Sequence, residues 1–186
     1  MSLTDRKASK MLTKFETIQI YGPIYFADAT IGALSLLRSS RSFREVIETG
    51  LQSIRYFPVT RRRLSEAAEA FPSESENSVH IYLESLLSDL NEFALLLAHE
   101  AYHNYIYSQF MRHGNRRLWK WHRRYYPYRD ETRCLMFEIQ LCKELCFPIE
   151  SLNWRETFAQ AIPNGFPRKQ TRILNHLRRL SLNLCQ

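Results

Sequence analysis

Two histidines four residues apart, with a glutamate between them, are the residues of this chain best suited to chemistry. His99, Glu100 and His103 form the pattern His-Glu-x-x-His inside an apolar, helix-forming segment. Residues four apart lie on one face of a helix, so both imidazoles can reach a single metal ion. Neutral imidazole suits Zn²⁺, and a catalytic zinc site combines three protein ligands with an open position for water. Glu100 can accept a proton from that water without being a ligand.

A third ligand must come from elsewhere in the chain, because two histidines alone make a weak site. The continuation with Gly and His three and six residues later is absent, since Ile106 and Gln109 stand there. The remaining common arrangement takes a glutamate from a second helix. Glu131 is the preferred candidate because it lies on the apolar face of a predicted helix, where an unpaired carboxylate is costly. Glu138, two turns further on that face, is the alternative, or it orients a histidine.

Several other residues are candidates for the third ligand or for a donor to the oxyanion. His113 and Asp130 are weaker candidates for the third ligand. An oxyanion would need a further donor beside the metal. The sequence does not choose among the candidate donors, which are Tyr125, Tyr126, Tyr128, His113 and His122. A simpler interpretation of the motif is two partly buried histidines on a core helix, with Glu100 in solvent.

The elements that must position these residues can be predicted from periodicity and capping signals. The motif lies on a helix from Ser88 or Asp89 to Met111, and Glu131 lies on a helix over Arg129–Cys146. A strand over Val79–Leu83 precedes the motif helix. As an exposed sheet edge it could pair with an extended peptide, although it could equally be an ordinary edge strand.

The remaining segments are assigned in the same way. We predict helices over residues 1–14, 28–37, 42–50, 60–71 and 167–182, and one that starts at Ser151 or Asn153 and ends at Ala161. We also predict strands over 16–21 and 53–58 and a loop over 72–77. Asp28, the Ser42–Glu45 capping box and Thr60 are the predicted helix starts. The sum is an α+β fold: one mostly helical domain over residues 1–186, with a small sheet packed on the motif helix.

These features resemble the HExxH zinc metallopeptidases of the gluzincin or minimal-zincin type, over about residues 53–147. Residues 148–186 would form a basic helical C-terminal part. Glu131-x-x-Cys134-x-x-Phe137 also resembles the second-helix segment of intracellular peptidases related to the IrrE regulator, although a smaller residue is typical where Cys134 stands. The resemblance implies a zincin-like domain with zinc on His99, His103 and Glu131, and Glu100 as general base. It does not supply a substrate.

Composition limits the class of protein. The 186 residues are 45% hydrophobic, which is typical of a globular chain. No apolar run approaches the ~18 residues that would span a membrane, and the polar N-terminus does not resemble a signal peptide, so we predict a cytoplasmic protein. The four cysteines, Cys134, Cys142, Cys146 and Cys185, are predicted to be reduced and buried.

Charge is distributed unevenly along the chain. Residues 1–100 carry 11 Lys/Arg and 13 Asp/Glu, whereas residues 101–186 carry 15 and 6. Cations and aromatic rings alternate over residues 116–128, where they could line a substrate cleft, pack over the core or bind nucleic acid. We predict a zinc-dependent hydrolase acting on a peptide or protein, and the positive charge of the second half could attract an acidic substrate. The alternatives are a metal-dependent peptide-modifying enzyme of a biosynthetic or toxin pathway, and a nucleic-acid-binding helical protein with a fortuitous motif.

Overall fold

The computed structural model describes residues 11–57, 70–73, 77–82, 89–112, 114, 116–125 and 127–161. Within them the strands are β1 (Met11–Phe15), β2 (Ile18–Gly22), β3 (Ser53–Tyr56), β4 (Ala70–Ser73) and β5 (Ser78–Ile81). The helices are α1 (Ile24–Arg38), α2 (Arg41–Gly50), α3 (Leu90–Arg112), α4 (Arg116–Tyr125), α5 (Pro127–Glu144) and α6 (Ile149–Ala161). The predicted α+β class, mostly helical with a small sheet, is confirmed.

The sheet has the strand order β1-β2-β3-β5-β4. Its three central strands, β2, β3 and β5, are parallel, and β1 and β4 flank them in antiparallel orientation. Ile20, Ile54 and Val79 lie in register across the central strands and are fully buried. Such a row is expected where a parallel sheet is covered by helices. The core therefore forms between the sheet and the helices that pack on it.

Helix α3, which carries the motif, is the central helix of the fold. It contacts α1, α2, α4, α5 and the strands β4 and β5. Every residue from Phe93 to Ala101 is buried, as expected for a helix that is covered on all sides. Asp89 caps its start, since its Oδ1 accepts from the amides of Asn91 at 3.0 Å and Glu92 at 3.1 Å. The predicted central helix is confirmed to within about a residue at each end.

Gly50 brings the end of α2 unusually close to the motif helix. A Cβ at this position would lie 2.9 Å from the backbone nitrogen of Tyr105 and 3.2 Å from the carbonyl oxygen of Ala101. These are backbone atoms, which cannot move aside as a flexible side chain can. The absence of a side chain at Gly50 thus allows α2 to support α3 within one turn of His103.

The N-terminal prediction is wrong where it can be compared. Residues 11–15 form strand β1 and not the end of a helix, while residues 1–10 lie outside the described part of the chain. The cause is a tight turn in which Glu16 adopts a φ of 52° and returns the chain as β2. Pairing with β2 then outweighs the weak helical pattern of this segment.

The starts of α1 and α2 also differ from prediction. Helix α1 begins at Ile24 after Pro23, so Asp28 lies inside the helix and does not cap it. Helix α2 is capped by Ser40, whose Oγ accepts from the amide of Phe43 at 3.1 Å. Ser42 instead bonds to Glu144 on α5. Ser42 therefore does not cap α2, because its hydroxyl bonds to Glu144, which is 102 positions away in sequence.

The segment before the motif helix contains the most consequential corrections. Ala70–Ser73 form strand β4, so the predicted helix over 60–71 is wrong at its end, and the predicted loop over 72–77 is wrong at its start. Residues 58–69 lie outside the described part. Strand β5 is confirmed, but it is not a sheet edge, because β4 pairs with its outer side. No local pattern in β5 could have shown that this side is covered.

The C-terminal half agrees better with prediction. Helix α5 matches the predicted helix that carries Glu131. Helix α6 is also confirmed, but it begins at Ile149, before the predicted start, and is described as far as Ala161. The helix predicted over 167–182 lies outside the described residues, as does Cys185. Cys134 and Cys142 are free and buried as predicted, whereas Cys146 is exposed because it lies in the turn after α5. In the described part, none of the helices combines the length and apolarity needed to cross a bilayer.

Candidate metal centre

His99 and His103 project from the same face of α3 towards Glu131 on α5. The two Nε2 atoms are 3.2 Å apart. Glu131 places one carboxylate oxygen 3.3 Å from the Nε2 of His99 and the other 3.3 Å from the Nε2 of His103. Ligand atoms bound tetrahedrally at about 2.0–2.1 Å from zinc are about 3.3 Å from one another. The three side chains thus fit a zinc ion in both chemistry and spacing.

Glu138 lies behind His99 and determines which nitrogen of this ring faces the cluster. Its Oε1 is 2.5 Å from Nδ1 of His99, and both side chains are buried. An ionised carboxylate can only accept hydrogen bonds, so Nδ1 carries the proton and donates it. The Nε2 of this ring then faces His103 and Glu131, where it could bind a metal ion. This arrangement corresponds to the histidine-orienting role that the sequence left open for Glu138.

Arg155 on α6 completes this arrangement from behind. Its Nε lies 2.5 Å from Oε2 of Glu138, and its terminal nitrogens lie 2.8 Å and 3.2 Å from the carboxylate of Glu92. One of them also donates to the carbonyl of Ser151 at 2.9 Å. The guanidinium is 2% exposed, and the two carboxylates outweigh the effect of its burial, raising the pKa of Arg155 further. Glu138 is therefore paired with a permanent cation.

A cysteine joins the two histidines at the same point. The Sγ of Cys134 and one nitrogen each of His99 and His103 all lie within 4.8 Å of one another. Cys134 stands one turn after Glu131 on α5 and is fully buried. Thiolate sulfur is a preferred zinc ligand. The same two histidines thus face Glu131 on one side and Cys134 on another.

Exposure differs across the cluster. The side chain of His99 is 2% exposed, whereas those of His103 and Glu131 are 14% and 35% exposed. Cys134 and Glu100 lie on the buried side, at 0% and 4% exposure. The cluster thus opens to solvent past Glu131 and His103, which is where water or a substrate could approach.

Two pKa shifts follow from this packing. Burial alone would raise the pKa of Glu131, but the imidazoles of His103 and His99 outweigh it and hold this pKa well below its usual value. Burial, reinforced by the charges of Glu131, Glu100 and Glu138, raises the pKa of the Cys134 thiol well above its usual value. In the protein alone, Glu131 is therefore an ionised carboxylate and Cys134 a neutral thiol.

The weaker candidates are not part of the cluster as far as the structure describes them. Asp130 is buried and faces His122, with its Oδ2 3.3 Å from Nδ1 of the ring. Burial raises the pKa of Asp130, which the nearby imidazoles of His122 and His103 partly oppose. Of the candidate oxyanion donors, only the side chain of His122 lies among the described ones. Those outside are Tyr125, Tyr126, Tyr128 and His113.

The basic and aromatic stretch after α3 forms helix α4. Trp119 and His122 are buried, and Trp119 packs on Tyr107 and Phe110 of α3. The cations Arg116, Arg117 and Lys120 are exposed. The predicted packing over the core is therefore observed for Trp119 and His122, whereas Trp121 is 49% exposed. The described cations face solvent beside the helix that carries the motif.

A separate groove of about 460 Å³ runs between α3 and α5. Its floor is formed by the stacked rings of Tyr102 and Phe137, with Met136 beside them. Its described lining contains none of the potential ligands. We therefore place the candidate chemistry at the cluster and not in this groove.

Sequence reasoning missed Arg155 and did not consider Cys134 as a ligand. For Cys134 a signal existed, since it lies three residues after Glu131 and so on the same helix face. For Arg155 there was none, because its role depends on how α6 packs on α5. No protein-family model, curated protein or solved structure matches this chain. The resemblance to HExxH metallopeptidases therefore rests on its residues alone.

Proposed function

We propose that this protein is a zinc-dependent hydrolase that cleaves peptide bonds in a peptide or protein. The observation that carries the proposal is the mutual spacing of three donor groups, 3.2 Å between the Nε2 atoms of His99 and His103 and 3.3 Å from each to Glu131. This spacing suits tetrahedral zinc. Because of this spacing, we prefer a metal-dependent enzyme to the alternative of a nucleic-acid-binding protein with a fortuitous motif.

In this proposal each residue of the cluster has a defined role. Zn²⁺, when bound, supplies Lewis acidity that makes water nucleophilic at neutral pH and polarises a carbonyl. Glu100, next to His99 on α3, accepts the proton of the attacking water and passes it to the departing amine. Glu138 orients the His99 ring through Nδ1, and Arg155 holds the carboxylate of Glu138 in place.

A peptide substrate is favoured by the position of strand β4. It is the outermost strand of the described sheet on this side, and it contacts the motif helix. Among the described strands only β5 pairs with it, so its other edge could receive an extended peptide through main-chain hydrogen bonds. The exposed cations of α4 favour acidic side chains in that peptide.

The cytoplasmic location of the protein stays a prediction.

The first test is metal content. Purified protein should contain one zinc per chain, which should be lost in His99→Ala. His80→Ala is the matched control, because His80 lies on β5 and outside the cluster, and it should keep its zinc. A chain that takes up no zinc after chelation and careful reloading would contradict the proposal.

The second test is cleavage. A library of extended peptides, some of them acidic, should yield products whose masses sum to the substrate plus one water. Chelation should abolish this cleavage and zinc should restore it. A mass change without cleavage would instead favour the peptide-modifying alternative.

A further inference from the structure

The thiol of Cys134 lies beside the two histidines, although the proposed hydrolase gives this thiol no role. Its Sγ is within 4.8 Å of a nitrogen on both His99 and His103. We propose that Cys134 is a fourth metal ligand, so that the ion rests in a closed shell of two imidazoles, one carboxylate and one thiolate. This inference rests on the proposed function, because it deepens the description of the same site.

The helix geometry supports this shell. Glu131 and Cys134 are three residues apart on α5 and therefore share the face turned towards the histidines of α3. In a tetrahedral site with bonds of about 2.3 Å to sulfur and 2.0–2.1 Å to nitrogen, sulfur lies about 3.6 Å from each nitrogen. In the structure the sulfur lies no more than 4.8 Å from these nitrogens. Metal binding would therefore shorten each sulfur–nitrogen distance by at most roughly 1.2 Å.

Charge balance also supports Cys134 as a fourth ligand. Two neutral imidazoles, one carboxylate and one thiolate together carry two negative charges, which match the charge of Zn²⁺. Balance matters here because His99 and Cys134 are almost completely buried, where an uncompensated charge is costly. Two further buried carboxylates lie nearby: Glu138 is paired directly with Arg155, and Glu100 is the proposed general base.

A closed shell has a consequence for the proposed activity. Zinc sites with four protein ligands are generally structural, whereas catalytic sites keep one position for water. Cys134 lies on the buried side of the cluster, and Glu131 and His103 lie on the exposed side. Water would therefore have to displace the thiolate, or enter as a fifth ligand past Glu131, before hydrolysis could begin. Cys134 would hold the site in a resting state.

Cobalt substitution tests this ligand directly. Chelated protein is titrated with Co²⁺ and its absorption spectrum recorded. A thiolate ligand produces an intense near-ultraviolet charge-transfer band, whereas nitrogen and oxygen ligands give only weak visible bands. We expect one equivalent of Co²⁺ with the intense band in the wild type and in Cys142→Ala, and loss of that band in Cys134→Ala. Cys142 is the matched control because it is also buried on α5 but lies outside the cluster.

The outcomes separate the two proposals. Stoichiometric Co²⁺ binding by the wild type without the intense band would overturn the fourth ligand and leave the proposed hydrolase intact. No Co²⁺ or zinc binding would overturn both. The wild-type spectrum decides the matter even if Cys134→Ala fails to fold. As a second measurement, zinc should protect Cys134 from alkylation more than Cys142, as read by mass spectrometry, and equal protection would count against the inference.

Discussion

Glu138 accepts the Nδ1 proton of His99 at 2.5 Å, and this contact turns the Nε2 of the ring towards His103 and Glu131. The pair joins α5 to the motif helix within the core, where both side chains are almost fully buried. The orientation of the first motif histidine is therefore fixed by a residue 39 positions further along the chain.

The role of Glu138 can be measured through metal affinity. Loss of a carboxylate that orients a metal-bound histidine typically weakens binding by 10–100-fold. We expect Glu138→Gln to raise the zinc dissociation constant by about this factor, as measured in competition with a chelating dye. Met136→Ala, on the exposed side of α5, is the control and should bind as the wild type does. Unchanged affinity in Glu138→Gln would show that the contact does not support the metal.

Glu100 is predicted to act in catalysis and not in binding. Glu100→Gln should keep one zinc per chain and lose about 10²–10⁴-fold in turnover, the usual contribution of a general base. Zinc content by atomic absorption and peptide cleavage by mass spectrometry, on the same preparation, test this together. A fully active Glu100→Gln would mean that another group takes the proton.

Arg155 is predicted to dominate the stability of the region behind the site. Arg155→Met leaves the buried carboxylate of Glu138 and the partly exposed carboxylate of Glu92 without their cation. Breaking a buried pair such as Arg155–Glu138 costs about 3–5 kcal/mol. Urea denaturation should show a loss of this size. Lys143→Met is the matched control, because its pair with Glu156 is well exposed, and exposed pairs contribute only about 0–1 kcal/mol. Equal losses in the two variants would refute this distinction.

Glu144 should make stability depend on pH in the acid range. Burial would raise its pKa, but hydrogen bonds from Ser40, Ser42 and Gln140 outweigh this effect and lower the pKa to about 2. Since the folded pKa lies below the ordinary value of 4.5, the contribution to stability is present above about pH 4.5 and is lost as the pH falls towards 2.

Glu144→Gln should therefore unfold at lower urea than the wild type at pH 7. The difference should shrink progressively between pH 5 and pH 2.5. A difference that stays constant over this range would mean that the charge of Glu144 contributes nothing.

Gly50 should not tolerate a side chain. Gly50→Ala would place a Cβ 2.9 Å from the backbone of Tyr105, so we expect a loss of about 1–3 kcal/mol in the free energy of unfolding, as for other overpacked sites. Gly32→Ala is the control inside α1, where the Cβ would meet only the mobile end of Leu90 at 3.2 Å. It should be neutral or stabilising, because alanine favours helices over glycine. Thermal unfolding of both variants distinguishes a close helix contact from a general requirement for glycine.

The sequence by itself determined the features that depend on neighbouring residues, namely single helices and the face on which each residue lies. The period of the apolar residues and the cap at Asp89 predicted α3, and the four-residue spacing placed His99 and His103 on one face. The same periodicity predicted α5 and put Glu131 and Glu138 on its buried side. It could not assign their separate roles, since that choice depends on which of the two lies opposite each nitrogen of His99.

The tertiary structure decided everything that depends on which elements pack against each other. Strand β4 covers β5, so the predicted edge strand is an inner one, and Glu144 draws Ser42 away from its predicted role as a cap. Arg155 reaches Glu138 only because α6 packs on α5. Burial, charge environment and hydrogen-bond partners are properties of packing. A pattern that repeats every two to four residues predicts a helix or a strand, but it does not show which other element packs against it.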